Sequence, residues 1–212
     1  MIGKAMNRKT KWRLVAVAAL ALAVAIIAIA SAQEQTVRVR GTIDGLDGQM
    51  ISVTARDGTK LTIKLADNLT VAGIVKASMS DIKAGSYVGV AALPQEDGSQ
   101  GALEVLIFPE AMRGTAEGFR PWDLRPNSTM TNATVADLVV KTDAQTMTLK
   151  YKDGEKTIVV PPGVPIVTYV PGDKSELKAG AKIFIAGAAK QPDGSLVAAR
   201  IGVGRDGLTP PM

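Results

Sequence analysis

Two hydrophobic patterns divide the chain. Leu14 to Ala30, LVAVAALALAVAIIAIA, is an uncharged apolar run of 17 residues, whereas the chain beyond Gln33 alternates apolar with polar. In TVRVRGTID, Val37, Val39 and Ile43 fall on one side of a period of two, and Arg38, Arg40 and Thr42 fall on the other. Ile51, Val53 and Ala55 share a side, as do Leu61, Ile63 and Leu65, and Met147, Leu149 and Tyr151 alternate with Thr148 and Lys150. Successive side chains of a strand point to opposite faces, so this alternation predicts half-buried strands. Seven Asp-Gly pairs punctuate them, at Asp44, Asp47, Asp57, Asp97, Asp153, Asp193 and Asp206. Both residues tolerate positive φ and suit tight turns. Short strands joined by such turns predict a small barrel or sandwich with about six strands per module.

The modules are visible because one phrase occurs twice. DIKAGSYVGVAALPQEDGSQGAL, Asp81 to Leu103, matches ELKAGAKIFIAGAAKQPDGSLVA, Glu176 to Ala198. The matched landmarks keep nearly one offset: 96 residues from Asp57 to Asp153, 95 from Asp81 to Glu176, and 96 from Asp97 to Asp193. Two copies are too few for a solenoid and predict a tandem duplication of a module of about 75 residues. The expected division is a first barrel at 33–110, a junction at 111–133 and a second barrel at 134–212. Within the phrase, Ser80-Asp81 and Ser175-Glu176 predict the start of a single helical turn. Ile82 or Leu177 then points into the barrel, and Gly85 or Gly180 ends the turn, because a left-handed terminating residue is cheapest as Gly. A ligand-binding loop at Lys83 and Lys178 is the alternative meaning of the phrase.

The apolar run changes the reading of charge. Lys4, Arg8, Lys9, Lys11 and Arg13 precede it, and Ala30-Ser31-Ala32 follows as a small-x-small site. Together they predict a signal peptide over 1–32, removed after Ala32, and a mature protein in the periplasm or outside the cell. A retained anchor is the alternative, since 17 residues is near the lower limit for a span. The formal charge of +5 comes from 25 basic against 20 acidic residues, and the five basic residues of the leader account for the whole excess. The mature chain is formally neutral and has few aromatics, which disfavours nucleic acid as a partner. Cys and His are both absent. Disulfides, thiol nucleophiles and thiolate metal sites are therefore excluded, as are the Ser-His-Asp triad and the commonest zinc ligand.

In each module an Asp-Gly hairpin precedes Ile-Lys-Ala-Gly or Leu-Lys-Ala-Gly and then an apolar strand, YVGV or KIFI. This order resembles the DUF5666 group of bacterial exported small β-barrel domains, over both modules. The junction FPEAMRGTAEGFRPWDLRPNSTMTNATV, Phe108 to Val135, looks like that of a subset of two-module exported proteins. The resemblance implies an all-β fold of two tandem OB-like barrels of unassigned function, and supplies no catalytic residue. Some relatives carry names linked to metal transport. A permease is excluded, because beyond Ala32 no stretch is long and apolar enough for a membrane-spanning helix.

The junction holds the candidate contact residues. Trp122 stands between Arg120 and Arg125, with Phe119 and Asp123 beside it and Pro121 and Pro126 as brackets. Prolines favour a preset extended segment, and Trp among arginines has the composition of an interface anchor. The expected partner contacts are Trp122, Arg120, Arg125, Phe119 and Asp123. The plainer alternative has Trp122 packing between the barrels and fixing their orientation. Asp44 and Asp47 offer too few oxygens at regular spacing for calcium. Met112 and Met130 lack the clustered spacing of a copper site. The sequons at Asn68, Asn127 and Asn132 mean little in a bacterial-looking chain, and no carboxylate pair stands out. The reading is a non-enzymatic exported protein without metal, cofactor or catalytic residue, acting as a binding or scaffolding module for an envelope protein or polymer. It would touch the membrane only through an uncleaved leader. An accessory small-ligand or metal-binding component of a transport system, and a carboxylate-dependent hydrolase, are the alternatives.

Overall fold

The computed structural model describes residues 35–140 and 145–212; the expected leader and its cleavage site lie outside them. The alternating runs all lie in strands. These are β1 (Thr36–Asp47), β2 (Met50–Ala55), β3 (Lys60–Lys76), β4 (Tyr87–Pro94), β5 (Gln100–Ile107) and β6 (Gly118–Pro121). They continue as β7 (Thr129–Val140), β8 (Gln145–Tyr151), β9 (Gly154–Val160), β10 (Ile166–Pro171), β11 (Lys182–Lys190) and β12 (Leu196–Gly204). Helical structure among the described residues is limited to three single 3-10 turns. The protein is all-β.

Strand pairing closes a five-stranded barrel in the order β1-β2-β3-β12-β11 and back to β1. Antiparallel ladders make every contact except β3–β12, which is parallel, with Ile63 opposite Leu196 and Val71 opposite Ile201. Its interior is filled by Val39, Ile43, Ile51, Val53, Ile63, Ile185 and Ile201. A second ring runs β4-β5-β9-β8-β7 and back to β4. It closes through a short parallel contact, Gln100 opposite Ile158 and Gly101 opposite Val159, around Val88, Val90, Val105, Val135, Met147 and Leu149. β10 bridges the rings, antiparallel to β3 and parallel to β5.

The rings do not follow the expected division at 110 and 134. Each takes three strands from one half of the sequence and its last two from the other. The cause lies in β3, which runs unbroken for 17 residues. At about 3.3 Å per residue it spans roughly 55 Å, far longer than one small barrel, so it carries the chain out of its own ring before β4 begins. In the other half Pro161-Pro162-Gly163 breaks the corresponding stretch into β9 and β10. The strand count is five in the first stretch, β1 to β5, against about six expected, and six in the second, β7 to β12. The junction is in part the preset extended segment expected of its prolines: Gly118–Pro121 forms β6, paired with β7.

The two rings nonetheless match in register. Gly180 N–H donates to Ile43 O at 2.8 Å in the first, and Gly85 N–H donates to Val135 O at 2.8 Å in the second. Val39 opposes Ile185, and Thr131 opposes Val90. Between β3 and β10, Gly73, Ile74 and Val75 oppose Val170, Tyr169 and Thr168. Exchanging the two strands reproduces that ladder about the Ile74–Tyr169 pair.

The repeated phrase forms the short turns Met79–Asp81 and Lys174–Glu176. They begin earlier than expected, and the acid closes each turn: Asp81 Oδ2 accepts from Ser78 N–H at 2.8 Å and Glu176 Oε1 from Asp173 N–H at 2.9 Å, an arrangement of the capping-box kind. Ile82 and Leu177 follow, each 2% exposed. Ile82 enters the core of the second ring and Leu177 that of the first. Gly85 and Gly180 have φ of 87° and 84°, the left-handed region that favours glycine. Val37, expected on the buried side, is 38% exposed, because a register shift between Val37 and Val39 turns the start of β1 outward. A side chain plugging a barrel end is costly to remove. Ile82→Ala and Leu177→Ala should each destabilise by about 2–5 kcal/mol in urea unfolding; a cost below about 1 kcal/mol would show that the residue does not seal its ring.

Candidate functional site

A third apolar cluster forms where the rings meet, from Ile74, Tyr87, Leu106, Phe108, Val167, Phe184 and Met212, with Trp122 and Tyr169 packed against it. The ring of Phe108 lies 5.4 Å from Tyr87 and 6.4 Å from Tyr169, centroid to centroid. The expected contact residues lie along one side of this cluster.

Trp122 opens the loop between β6 and β7. Its N–H donates to Ser128 O at 2.8 Å, and Ser128 Oγ donates to Arg125 O at 2.7 Å and lies 3.0 Å from Trp122 O. Ser128 is buried, so a single hydroxyl ties the loop into a fixed clasp. β1 supplies what lies over the indole. The Arg38 guanidinium stacks 3.9 Å from the ring centroid, and those of Arg40 and Arg120 lie 5.8 Å away. Such stacking is worth about 0.5–1 kcal/mol when exposed and more when desolvated. Asp123 ties the arginines together: Arg40 Nη2 donates to its Oδ1 at 2.8 Å, and Arg38 Nη1 lies 3.6 Å from Oδ2. Burial opposes ionisation of Asp123, but the Arg40 hydrogen bond and the charges of Arg40 and Arg38 outweigh it and hold its pKa below the ordinary value. Burial, followed by repulsion from Arg38, lowers the pKa of Arg120.

Of the five expected contact residues, Trp122, Arg120 and Asp123 are therefore in one cluster. Phe119 faces outward nearby, with Lys156 Nζ 4.4 Å from its ring centroid. Arg125 is exposed, and its side chain makes no ion pair among the described residues. The arginine that contacts Trp122 most closely, Arg38, comes from β1, where alternation with valine marks it only as part of a polar face. Arg38, Arg40 and Arg56 line a groove of about 460 Å³ together with Asp57, Asp123 and Leu124. Arg40 Nε and Arg56 Nη2 also donate to the carbonyl oxygens of Met212 and Pro210.

Glu104 is the other residue that sequence reasoning missed. It shares a face of β5 with Leu106, is 1% exposed, and neither carboxylate oxygen has a hydrogen-bond partner. Burial pushes its pKa up from 4.5 to about 8, against the opposing charges of Arg40 and Arg56. Burial and the Glu104 charge push the Tyr169 phenol up to about 12. The available signal was one acid inside an apolar run, LEVLIF. Glu104 does not line the groove, and among the described residues no group of three or more acidic side chains is placed to hold a metal ion.

A carboxyl that titrates higher when folded binds its proton more tightly in the native state. Stability from Glu104 is thus fully present below about pH 4.5 and is lost as pH rises through about 8. Between pH 5.5 and 8.5 the protein should lose stability, by an amount on the order of a few kcal/mol. Glu104→Gln should flatten that loss and melt higher than the parent at pH 8.5. Equal pH slopes for parent and variant would place the Glu104 proton elsewhere.

No protein-family profile, curated protein or solved structure matches the chain.

Proposed function

We propose that this is a non-enzymatic exported protein that binds or scaffolds an envelope partner through the face built on Trp122. One observation carries the reading: an aromatic side chain fixed in advance by Ser128, Arg38 and Asp123, at the rim of an open groove. Anchors of this composition dominate interface energetics, and an anchor already ordered loses little conformational entropy on binding. The groove offers three arginines against two aspartates, which suits an acidic segment of the partner. Asp123 is 48% exposed and is the group such a segment would displace from Arg38 and Arg40.

Export belongs to the same proposal, with residues 1–32 as a signal peptide cleaved after Ala32 and the mature chain in the periplasm or secreted. So do a DUF5666-like ancestry and an OB-like module duplicated in tandem. The repeated phrase supports duplication, as do the matched registers of the two rings. On this view the copies exchanged their last two strands. A cavity of about 100 Å³, lined by Phe108, Trp122, Tyr169 and Phe184 among others, favours a second reading, an accessory protein that carries a small ligand.

The contact face is tested by variants that leave the apolar core alone. Arg38→Ala, Arg125→Ala and Asp123→Arg should leave the melting temperature within a few degrees of the parent. A purified envelope partner, once identified by crosslinking, should then bind the two arginine variants about tenfold or more weakly and the Asp123→Arg variant more tightly, since the competing carboxylate is gone. Lys178→Ala, on the repeated turn, should bind normally. Unchanged affinity in all three face variants would remove the reading. The export proposal is checked by mass analysis of protein recovered from the envelope, which should begin near Gln33; an intact N-terminus would favour an anchor.

A further inference from the structure

Past β12 the chain reverses at Asp206 and Gly207, whose φ of 52° and 74° are both left-handed. Leu208 N–H closes the turn on Arg205 O at 2.9 Å. The segment from Gly207 to Met212, GLTPPM, then runs back over Gly204, where an added Cβ would overlap Leu208 O. Pro210 is buried. Met212 is 2% exposed and sits in the inter-ring cluster with Phe108 and Phe184, its sulfur 3.6 Å from the Tyr169 hydroxyl.

This segment forms no strand, and Pro210 and Pro211 have no N–H to offer a ladder. Basic side chains hold the carbonyls along it instead. Lys182 Nζ donates to Gly207 O at 3.4 Å, Arg56 Nη2 to Pro210 O and Arg40 Nε to Met212 O. Arg40 and Arg56 are also two of the three arginines that line the groove of the contact face. The segment and a ligand in the groove therefore draw on the same two guanidiniums.

The segment offers them only neutral carbonyls, and a hydrogen bond to a carboxylate is roughly twice as strong. Arg56 makes no ion pair among the described residues. Burial, and next the charge of Arg40, lower its pKa against the opposing charge of Glu104, so the pair is crowded and short of a counter-ion. Burial of Met212 opposes release of the segment and sets the threshold that a weak ligand fails to pass. We propose that the segment from Gly207 to Met212 is an autoinhibitory strap on the arginine groove, displaced when an acidic segment of the partner takes Arg40 and Arg56. The proposal rests on the groove as the contact face and adds its regulation. Because coupling between two sites is reciprocal, loosening the strap must strengthen the groove's hold on an acid by the same factor.

The test uses the protein as recovered from cells, labelled with ¹³C at the methionine methyls, with a hexaglutamate peptide as probe at low ionic strength. The Met212 signal is assigned by its loss in Met212→Gly. Hexaglutamate should bind saturably and move that signal, over the same concentration range, from its buried position to that of a free-chain methionine. Hexaglutamine should do neither. Gly204→Ala, which crowds the strap off β12, and Met212→Gly, which removes its anchor, should each bind hexaglutamate about fivefold or more tightly than the parent. Hexaglutamate bound with the Met212 signal unmoved, displacement by hexaglutamine as well, or equal affinity in the parent and both variants would overturn the strap and leave the groove reading standing. No hexaglutamate binding by the parent or either variant would overturn both.

Discussion

The backbone groups along the two edges of a three-stranded sheet must find partners, and here they find them in the other half of the chain. β1, β2 and β3 form a meander whose outer edges are those of β1 and β3. β11 covers the first and β12 the second, and β12 also pairs with β11, so the sheet closes and no edge of it is left to aggregate. The same solution serves β7, β8 and β9, closed by β4 and β5. Neither half of the sequence can satisfy its own strands in this arrangement. Folding of one ring therefore requires the other, and the chain from Thr36 to Met212 is one compact unit.

That mutual closure creates the surfaces where function is proposed. β10 lies between the rings, and the aromatic cluster around Phe108, Tyr169 and Phe184 assembles only because β5, β10 and β11 meet there. The Trp122 loop then folds onto β1, whose arginines stack on its ring. Trp122 thus both packs against the inter-ring cluster and presents a charged, partly exposed edge. The two roles considered for it in the sequence are compatible in space. Glu104 is held in the same region at an energetic cost that only a cooperative fold can sustain.

Much of the local structure was legible in the sequence. Period-two alternation located the strands, and the repeated phrase located two barrel plugs, Ile82 and Leu177, at equivalent places. Six of the seven Asp-Gly pairs, with Gly85 and Gly180, marked turns because their chemistry acts within a few residues; Asp44-Gly45 instead lies inside β1, where the pairing with β2 shifts register. Pairing between distant strands was not legible. Alternation tells which face of β3 is buried but not whether its edge meets β5 or β12, since backbone hydrogen bonds carry no side-chain signature. For the same reason Arg38 and Arg40 read as a solvent face, although one stacks on Trp122. Glu104 read as one more polar residue in a strand, and Val37 as a core residue, because a bulge is invisible to a strict period of two.

The central claim is that each barrel is completed by strands from the opposite half. It is tested most directly by producing residues 33–110 and 111–212 as separate chains and recording their thermal unfolding by circular dichroism, alone and mixed in equal amounts. The account predicts that neither fragment alone gives a cooperative transition and that the mixture recovers one. A cooperative β-sheet transition from either fragment by itself would contradict it.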